Sequence, residues 1–125
     1  MQIQDFNSII KNINLQRRKI LKSFYGGIFI EKTKLKEAGK EYPIKLEYYK
    51  RINEDEILRK EKAKFGISIV KTEYIPNNTK IEAEEIKYLS NDESKIDNML
   101  KLFKKNEVTP VELEDVVFDL RNQIF

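Results

Sequence analysis

The clearest candidates for chemistry in this sequence are four basic side chains close together near the N-terminus: Arg17, Arg18, Lys19 and Lys22. Such a cluster can contact phosphate groups, and each neutralised phosphate adds affinity that is independent of base sequence and weakens as salt rises. The neighbouring rings of Phe24 and Tyr25 could stack on bases. The alternative is that the four charges form a solvated face and pair with acidic groups of the same chain.

A second candidate lies at residues 48–51, where two tyrosines are followed by Lys50 and Arg51. Successive side chains of a strand point to opposite faces, so one of the two tyrosines is predicted to be exposed. An exposed tyrosine beside a basic residue is compatible with a protein-binding face. Tyr49 and Arg51 therefore join the four basic residues as the candidate binding residues.

The composition argues against catalysis. The chain has no cysteine and no histidine, which removes thiolate nucleophiles, sulfur-ligated zinc and the commonest general base and metal ligand. Carboxylates are plentiful, but none stands at the spacing of a calcium-binding loop, and helix capping and solubility explain them. The carboxylates lie between positions 82 and 93 and are Glu82, Glu84, Glu85, Asp92 and Glu93. We therefore predict no enzyme activity, no catalytic residue, no metal and no cofactor.

Charge is unevenly distributed along the chain, although the net charge is only +3. Residues 1–40 carry nine basic and three acidic side chains, whereas residues 82–125 carry six and eleven. This asymmetry can attract an acidic partner to one end of the molecule, and opposite halves can equally neutralise each other within the fold.

Localisation follows from the lack of long apolar stretches. No run approaches the roughly eighteen apolar residues of a membrane span. Residues 1–14 are amphipathic and lack the apolar stretch of a signal peptide. A cytoplasmic protein with no membrane partner is therefore expected.

The N-terminal cluster is predicted to lie on a helix. Apolar residues recur there at spacings of three, four and seven, which places them on one helical face. These residues are Phe6, Ile9, Ile10 and Ile13. The pattern predicts a basic amphipathic helix over residues 4–22, with the charged cluster beside its apolar stripe.

Four strands are predicted from residues 24–32, 42–48, 65–74 and 79–89. These segments are rich in β-branched and aromatic residues or alternate between apolar and polar positions. The Gly26-Gly27 pair indicates a bulge or bend, and a change of parity across Glu84-Glu85 indicates a second bulge. Residues 53–64 are a charge cluster that we interpret as a solvated loop or a short surface helix.

The last third of the chain changes to a helical period. Ser90 and Glu93 are predicted to form a capping box, and Asn106 is predicted to end the helix that follows. Thr109-Pro110 starts a second helix. The apolar stripe predicted for the first of these helices is Ile96, Met99, Leu100 and Phe103.

The predicted fold class is α+β. It comprises a four-stranded antiparallel sheet with an N-terminal helix and two C-terminal helices packed on one face. The short links between strands suit antiparallel neighbours. We divide the chain into the basic helix at residues 1–22 and a single α+β domain at residues 23–125.

Three segments resemble an uncharacterised family of bacterial, clostridial type, catalogued as domain-of-unknown-function family 6514. They are FGISIVKTE at residues 65–73, EIK at 85–87 leading to NDE at 91–93, and KNEVTPVELEDVV at 105–117. The resemblance runs from Tyr48 onward and covers about two thirds of the chain. It implies a shared fold and a bacterial source, and it brings no activity, ligand or catalytic residue.

The function predicted from these observations is a non-enzymatic regulatory or adaptor module that binds another protein in a bacterial cytoplasm. The partner is either a different protein or a second copy of the chain in a homodimer. The binding surface is expected to be the exposed face of the sheet or the N-terminal helix. The alternative is a nucleic-acid-binding protein that uses the basic N-terminal helix, and its binding would weaken steeply with salt.

Overall fold

The computed structural model describes residues 20–31, 42–53 and 63–123. Within these ranges four strands form one antiparallel sheet in sequence order, and two helices follow. The elements are β1 (Ile20–Ile30), β2 (Ile44–Asn53), β3 (Phe65–Glu73), β4 (Lys80–Ser90), α1 (Glu93–Lys105), a 3-10 turn (Pro110–Glu112) and α2 (Leu113–Gln123). The predicted α+β class, the antiparallel sheet and the two C-terminal helices are confirmed.

The predicted N-terminal helix is wrong at its C-terminal end. Ile20, Leu21 and Lys22 belong to β1 and pair with residues 51–53 of β2. The whole of β1 is rich in β-branched and aromatic residues, and cross-strand pairing outweighs the local helical pattern there. Residues 4–19 of the predicted helix lie outside the described residues, as do residues 54–62 of the predicted loop or surface helix.

The two predicted bulges have different outcomes. The register of β1 shifts between Phe24 and Gly26, which confirms the first. The second is wrong in position, because β4 pairs without interruption from Lys80 to Ile86 and the irregularity lies between Ile86 and Ser90. Ile81 lies on the opposite face of the sheet from Ile86, so no change of parity is needed between them.

The core lies on one face of the sheet. Alternate residues of β2, namely Ile44, Leu46 and Tyr48, are buried there against both helices. The predicted stripe of α1 is buried in the same cluster, as are Leu113 and Val117 of α2. Each fully buried aliphatic or aromatic side chain contributes about 1.5–3 kcal/mol. Neither α1 nor α2 is long and apolar enough to cross a membrane.

The start of α1 differs from the predicted capping box. Asp92 is the N-cap, and its side chain accepts a hydrogen bond from the Ser94 amide at 3.0 Å. The Ser90 hydroxyl instead accepts from the Asp92 amide at 3.0 Å, because Ser90 is still the last residue of β4. The predicted C-cap at Asn106 is confirmed.

The start of the second helical segment is as predicted. Glu112 Oε1 accepts hydrogen bonds from the Thr109 amide at 2.9 Å and from the Thr109 hydroxyl at 2.7 Å. Pro110 occupies the first position of the 3-10 turn, where its missing N–H has no partner to lose.

Two polar contacts of β2 hold the helical layer in place. The buried Tyr48 hydroxyl donates to the Val108 carbonyl at 2.8 Å. Lys50 Nζ donates to Glu93 Oε2 at 2.6 Å and to Asp97 Oδ1 at 2.9 Å. Burial alone lowers the pKa of Lys50, but its two carboxylate partners outweigh burial, so this pKa is raised and the ammonium stays charged.

Tyr48 provides the first test of this arrangement. The Tyr48→Phe variant is expected to lose about 1–2 kcal/mol of unfolding free energy, because the buried Val108 carbonyl would have no donor. Urea denaturation measures the loss. Tyr74→Phe is the matched control, since Tyr74 is 38% exposed, and an equal loss in both variants would contradict the role of the Tyr48 hydroxyl.

The same residue makes stability fall at high pH. Burial, with the carboxylates of Glu107 and Glu112, raises the pKa of Tyr48 above its ordinary value of 10.0. The unfolded chain therefore releases this proton first, so the contribution of Tyr48 is complete below pH 10 and declines as pH rises further. The decline is expected to be shallower in Tyr48→Phe.

Gly66 accommodates the irregular part of β4. A Cβ atom at this position would fall on the backbone carbonyl oxygens of Ile86 and Lys87. The Asn53 side chain fixes the same segment by donating to the Lys87 carbonyl at 2.8 Å. Since both obstacles are backbone atoms, a side chain cannot be accommodated by a change of rotamer.

Gly66→Ala is therefore expected to destabilise the protein by about 2 kcal/mol or more, as measured by urea denaturation. Gly26→Ala is the control, because its Cβ would meet only the flexible end of the Lys104 side chain. A smaller loss in Gly66→Ala than in Gly26→Ala would contradict the close packing of β4 on Gly66.

Candidate functional site

The face of the sheet opposite the helices is the candidate functional site, and we call it the open face. Strand alternation places alternate residues of all four strands on it, while both helices of the described ranges pack on the other face. Its side chains are Lys22, Phe24, Phe29, Lys45, Glu47, Tyr49, Arg51, Asn53, Ser68, Val70, Thr72, Ile81, Ala83 and Glu85.

A chain of polar contacts crosses one end of the open face. Glu85 Oε1 lies 3.2 Å from Arg51 Nη1, and Arg51 Nε donates to Asn53 Oδ1 at 2.9 Å. Lys22 Nζ lies 3.2 Å from the buried Glu85 Oε2, as an ion pair rather than a directed hydrogen bond. The chain thus joins β1, β2 and β4.

Arg51 reaches a residue two strands away. Gly66 is the residue of β3 directly opposite Arg51 and places no side chain between Arg51 and β4. Arg51 is only 7% exposed, so Glu85 compensates a charge that is largely removed from water.

Exposed apolar side chains occupy much of the rest of the open face. Phe24 is 57% exposed, Phe29 is 59% exposed and Ile81 is 67% exposed. The Phe24 ring meets the Tyr49 ring edge-on at a centroid distance of 5.5 Å. The Phe29 ring contacts that of Tyr74, which follows β3, at 6.3 Å. Aromatic groups are therefore held in fixed positions while their outer surfaces meet solvent.

The Tyr49 hydroxyl is held neutral. It donates to Glu47 Oε2 at 3.0 Å. Burial and this hydrogen bond to a carboxylate both raise the pKa of Tyr49. The hydroxyl therefore acts as a hydrogen-bond donor at physiological pH and does not supply a phenolate.

Three of the six candidate residues from the sequence come together on the open face. Lys22 and Tyr49 lie there beside Arg51 on the adjacent strands β1 and β2. Arg17, Arg18 and Lys19 lie outside the described residues. No sequence pattern links Lys22 and Arg51 to Glu85, because the three residues are far apart along the chain and meet only through strand pairing.

Phe29 and Ile81 are open-face residues that the sequence reasoning did not single out. Both lie in segments predicted to be strands, and the face on which each would lie was not predicted. Ile81 alternates with the charged residues Lys80 and Glu82 in a strand that lies at an edge of the described sheet. An isoleucine between two charged residues of an edge strand is a signal from which its exposure could have been predicted.

The recesses of the described residues include one on each side of the sheet, and no cluster in the described residues could hold a metal. An open recess of about 380 Å³ adjoins Lys22, Ser68 and Glu85 on the open face. A recess of about 370 Å³ on the helical side is lined by Leu89, Ser90, Lys95, Met99 and Arg121. In residues 20–31, 42–53 and 63–123, no three Asp or Glu side chains converge as metal ligands.

Comparison with known families identifies the chain. The model of a family of unknown function, DUF6514, matches residues 27–123. The chain therefore belongs to this family, which confirms the resemblance drawn from its sequence. No curated protein and no solved structure matches the chain.

The ion pairs of the open face lead to a stability prediction. Glu85→Gln is expected to reduce the unfolding free energy by about 1–3 kcal/mol, because it leaves the Arg51 guanidinium without its anion. The lower part of that range reflects the 26% exposure of the Glu85 side chain. Urea denaturation measures the change.

Glu84→Gln on the same strand is the matched control, because Glu84 is exposed and lies on the other side of β4. It is expected to change stability by less than about 0.5 kcal/mol. Equal effects of the two substitutions would show that the Arg51–Glu85 pair does not stabilise the fold.

Proposed function

We propose that the protein is a non-enzymatic regulatory or adaptor module that binds another protein in a bacterial cytoplasm, and that the open face is its binding surface. The observation that carries this proposal is the exposure of three large apolar side chains, Phe24, Phe29 and Ile81, on a face that neither described helix covers. They span the open face from β1 to β4, and an uncovered face with exposed apolar area is typical of a site of association.

The composition of the open face supports a protein partner. Tyrosine and arginine are enriched among the residues that dominate binding energy at protein interfaces. Tyr49 is held by Phe24 and Glu47, and Arg51 is held by Asn53 and Glu85. Side chains that are already ordered lose little conformational entropy when a partner binds. Tyr49 and Arg51 would orient the partner through hydrogen-bonding groups that are already in place. The apolar contacts would supply most of the affinity.

The charges of the open face favour protein over nucleic acid. Lys22 and Arg51 both lie against Glu85, so one carboxylate offsets part of their combined positive charge. A phosphate placed beside them would also approach the Glu85 carboxylate. Nucleic-acid binding would therefore depend on Arg17, Arg18 and Lys19.

The absence of catalysis in this proposal follows from the available side chains. The chain has neither cysteine nor histidine. The Tyr49 hydroxyl is held neutral by burial and by Glu47, which raise its pKa. The bacterial source is taken from the resemblance described above, and a chain without cysteine suits a reducing compartment such as the cytoplasm.

Partner capture with matched surface variants tests the proposal. The full chain serves as bait in extracts of its native cells, and mass spectrometry identifies proteins that bind reproducibly. A Phe29→Glu/Ile81→Glu variant is expected to lose at least about tenfold of the bound partner, because it places two charges in an apolar contact. Val111→Glu/Phe118→Glu is the control, since these residues are 79% and 65% exposed on the helical segments.

Two results would count against the open face. Equal loss of the partner in both double variants would indicate a general effect of added charge, and unchanged recovery in Phe29→Glu/Ile81→Glu would place the binding surface elsewhere. A gel shift whose strength falls steeply with salt would instead support nucleic-acid binding. Deletion of residues 1–19 tests that alternative, and the deletion must end before Ile20, where β1 begins.

A further inference from the structure

The two edge strands of the described sheet differ in charge. Both β1 and β4 have eleven residues. β4 carries five charged side chains, at Lys80, Glu82, Glu84, Glu85 and Lys87, whereas β1 carries one, at Lys22. Proteins commonly keep edge strands from pairing with other chains by placing charges on them. β4 has this protection, and β1 largely lacks it.

The side chains of β1 are also unusually apolar for an exposed edge. Leu21 is 43% exposed, Phe24 is 57%, Tyr25 is 39% and Phe29 is 59%. A long, apolar and uncharged edge strand is a surface to which a further strand can add, with main-chain hydrogen bonds for affinity and side-chain pairs for specificity.

The bulge makes β1 complementary to itself. Before the bulge Phe24 lies on the open face, and after it Gly27 and Phe29 lie there, so the alternation changes from even to odd positions. In an antiparallel pair, residues directly opposite each other point to the same face. Two copies of β1 satisfy this condition at four residue pairs when a twofold axis passes between Tyr25 and Gly26. The pairs are 21 with 30, 22 with 29, 23 with 28 and 24 with 27.

We propose that a second copy of the chain pairs antiparallel with β1 about this axis, giving a homodimer with a continuous eight-stranded sheet. On the helical side, Leu21 lies opposite the partner's Ile30 and Ser23 lies opposite the partner's Ile28. On the open face, Lys22 lies opposite the partner's Phe29. Leu21 with Ile30 is an apolar pair, and Lys22 with Phe29 places a cation beside an aromatic ring; both kinds are favourable. Ser23 is small and does not obstruct Ile28.

The remaining pair suits the glycine of β1. Phe24 lies opposite the partner's Gly27, which has no side chain, so the two strands can approach without moving the Phe24 ring from Tyr49 and from Gly27 of its own chain. The two Lys22 side chains lie at opposite ends of the paired strands and do not face each other. Lys104 packs over Gly26 on the helical side, and its long side chain can extend into solvent as the strands approach.

A second copy is favoured over an unrelated peptide because the same-face match at these four residue pairs is a property of the sequence of β1 itself. The dimer would also bring the open faces of the two copies into one surface. The inference uses the edge of the sheet and does not depend on the proposed function, which uses the face.

Cysteine cross-linking tests both the dimer and its register, because the chain has no cysteine of its own. Directly opposite residues have Cα atoms about 4.5–5.5 Å apart, which a disulfide can bridge. Ser23→Cys mixed with Ile28→Cys is therefore expected to give a disulfide-linked dimer on mild oxidation. Neither variant alone should do so, since two Ser23 positions lie roughly 17 Å apart along the paired strands.

The wild-type chain provides the first control, and sedimentation equilibrium should give twice its mass of 14.9 kDa. Ile81→Cys mixed with Ser23→Cys is the second control and should remain uncross-linked, because Ile81 lies on the other edge strand. A monomeric wild-type protein overturns the proposal. A dimer in which positions 23 and 28 do not cross-link, or in which the control mixture cross-links equally, also overturns it. Because Phe29 also lies opposite Lys22 of the second copy, sedimentation of Phe29→Glu/Ile81→Glu separates the two proposals: loss of the captured protein with the dimer retained bears only on the proposed function.

Discussion

Two amphipathic helices cover one face of a four-stranded sheet, and this one-sided packing determines the properties of the other face. The helical layer is held by burial of the apolar side chains between the layers and by two polar contacts from β2, through Tyr48 and Lys50. The buried apolar side chains lie between the sheet and the helices. Because both described helices pack on that side, they leave the open face without a covering layer. Any side chain there must be stabilised by its neighbours within the sheet or by another molecule.

The open face combines a rigid polar end with exposed rings. Glu85 compensates Arg51 in a site that is largely shielded from water. Gly66 lies opposite Arg51 on β3, and the carbonyl oxygens of Ile86 and Lys87 occupy the place that a Cβ atom would take there. A residue without a side chain therefore allows the change of register in β4. The aromatic side chains of the open face take no part in the ion pair. Phe24 and Phe29 remain more than half exposed.

The two edges of the described sheet also differ from each other. A charged β4 and an apolar β1 make the sheet asymmetric, and membership in the DUF6514 family provides no ligand or activity that accounts for this asymmetry. Association through a face and association through an edge use different groups, namely side chains in the first case and main-chain amides and carbonyls in the second. The two can coexist in one molecule because the main-chain groups of the β1 edge take no part in contacts of the open face, although Phe24 and Phe29 contribute side chains to both.

The sequence by itself determined the class of fold, the four strands, the two C-terminal helices and the buried stripe of α1, because alternation and helical periodicity are local properties. The sequence pattern predicted a helix at residues 20–22. Periodicity contains no information on the pairing of those residues with β2, so this prediction was wrong. It selected Lys22, Tyr49 and Arg51 as candidates but not Glu85, Phe29 or Ile81. Only the tertiary structure decided that Lys22, Arg51 and Glu85 meet, because the register of three antiparallel strand pairs brings together residues that no local pattern relates.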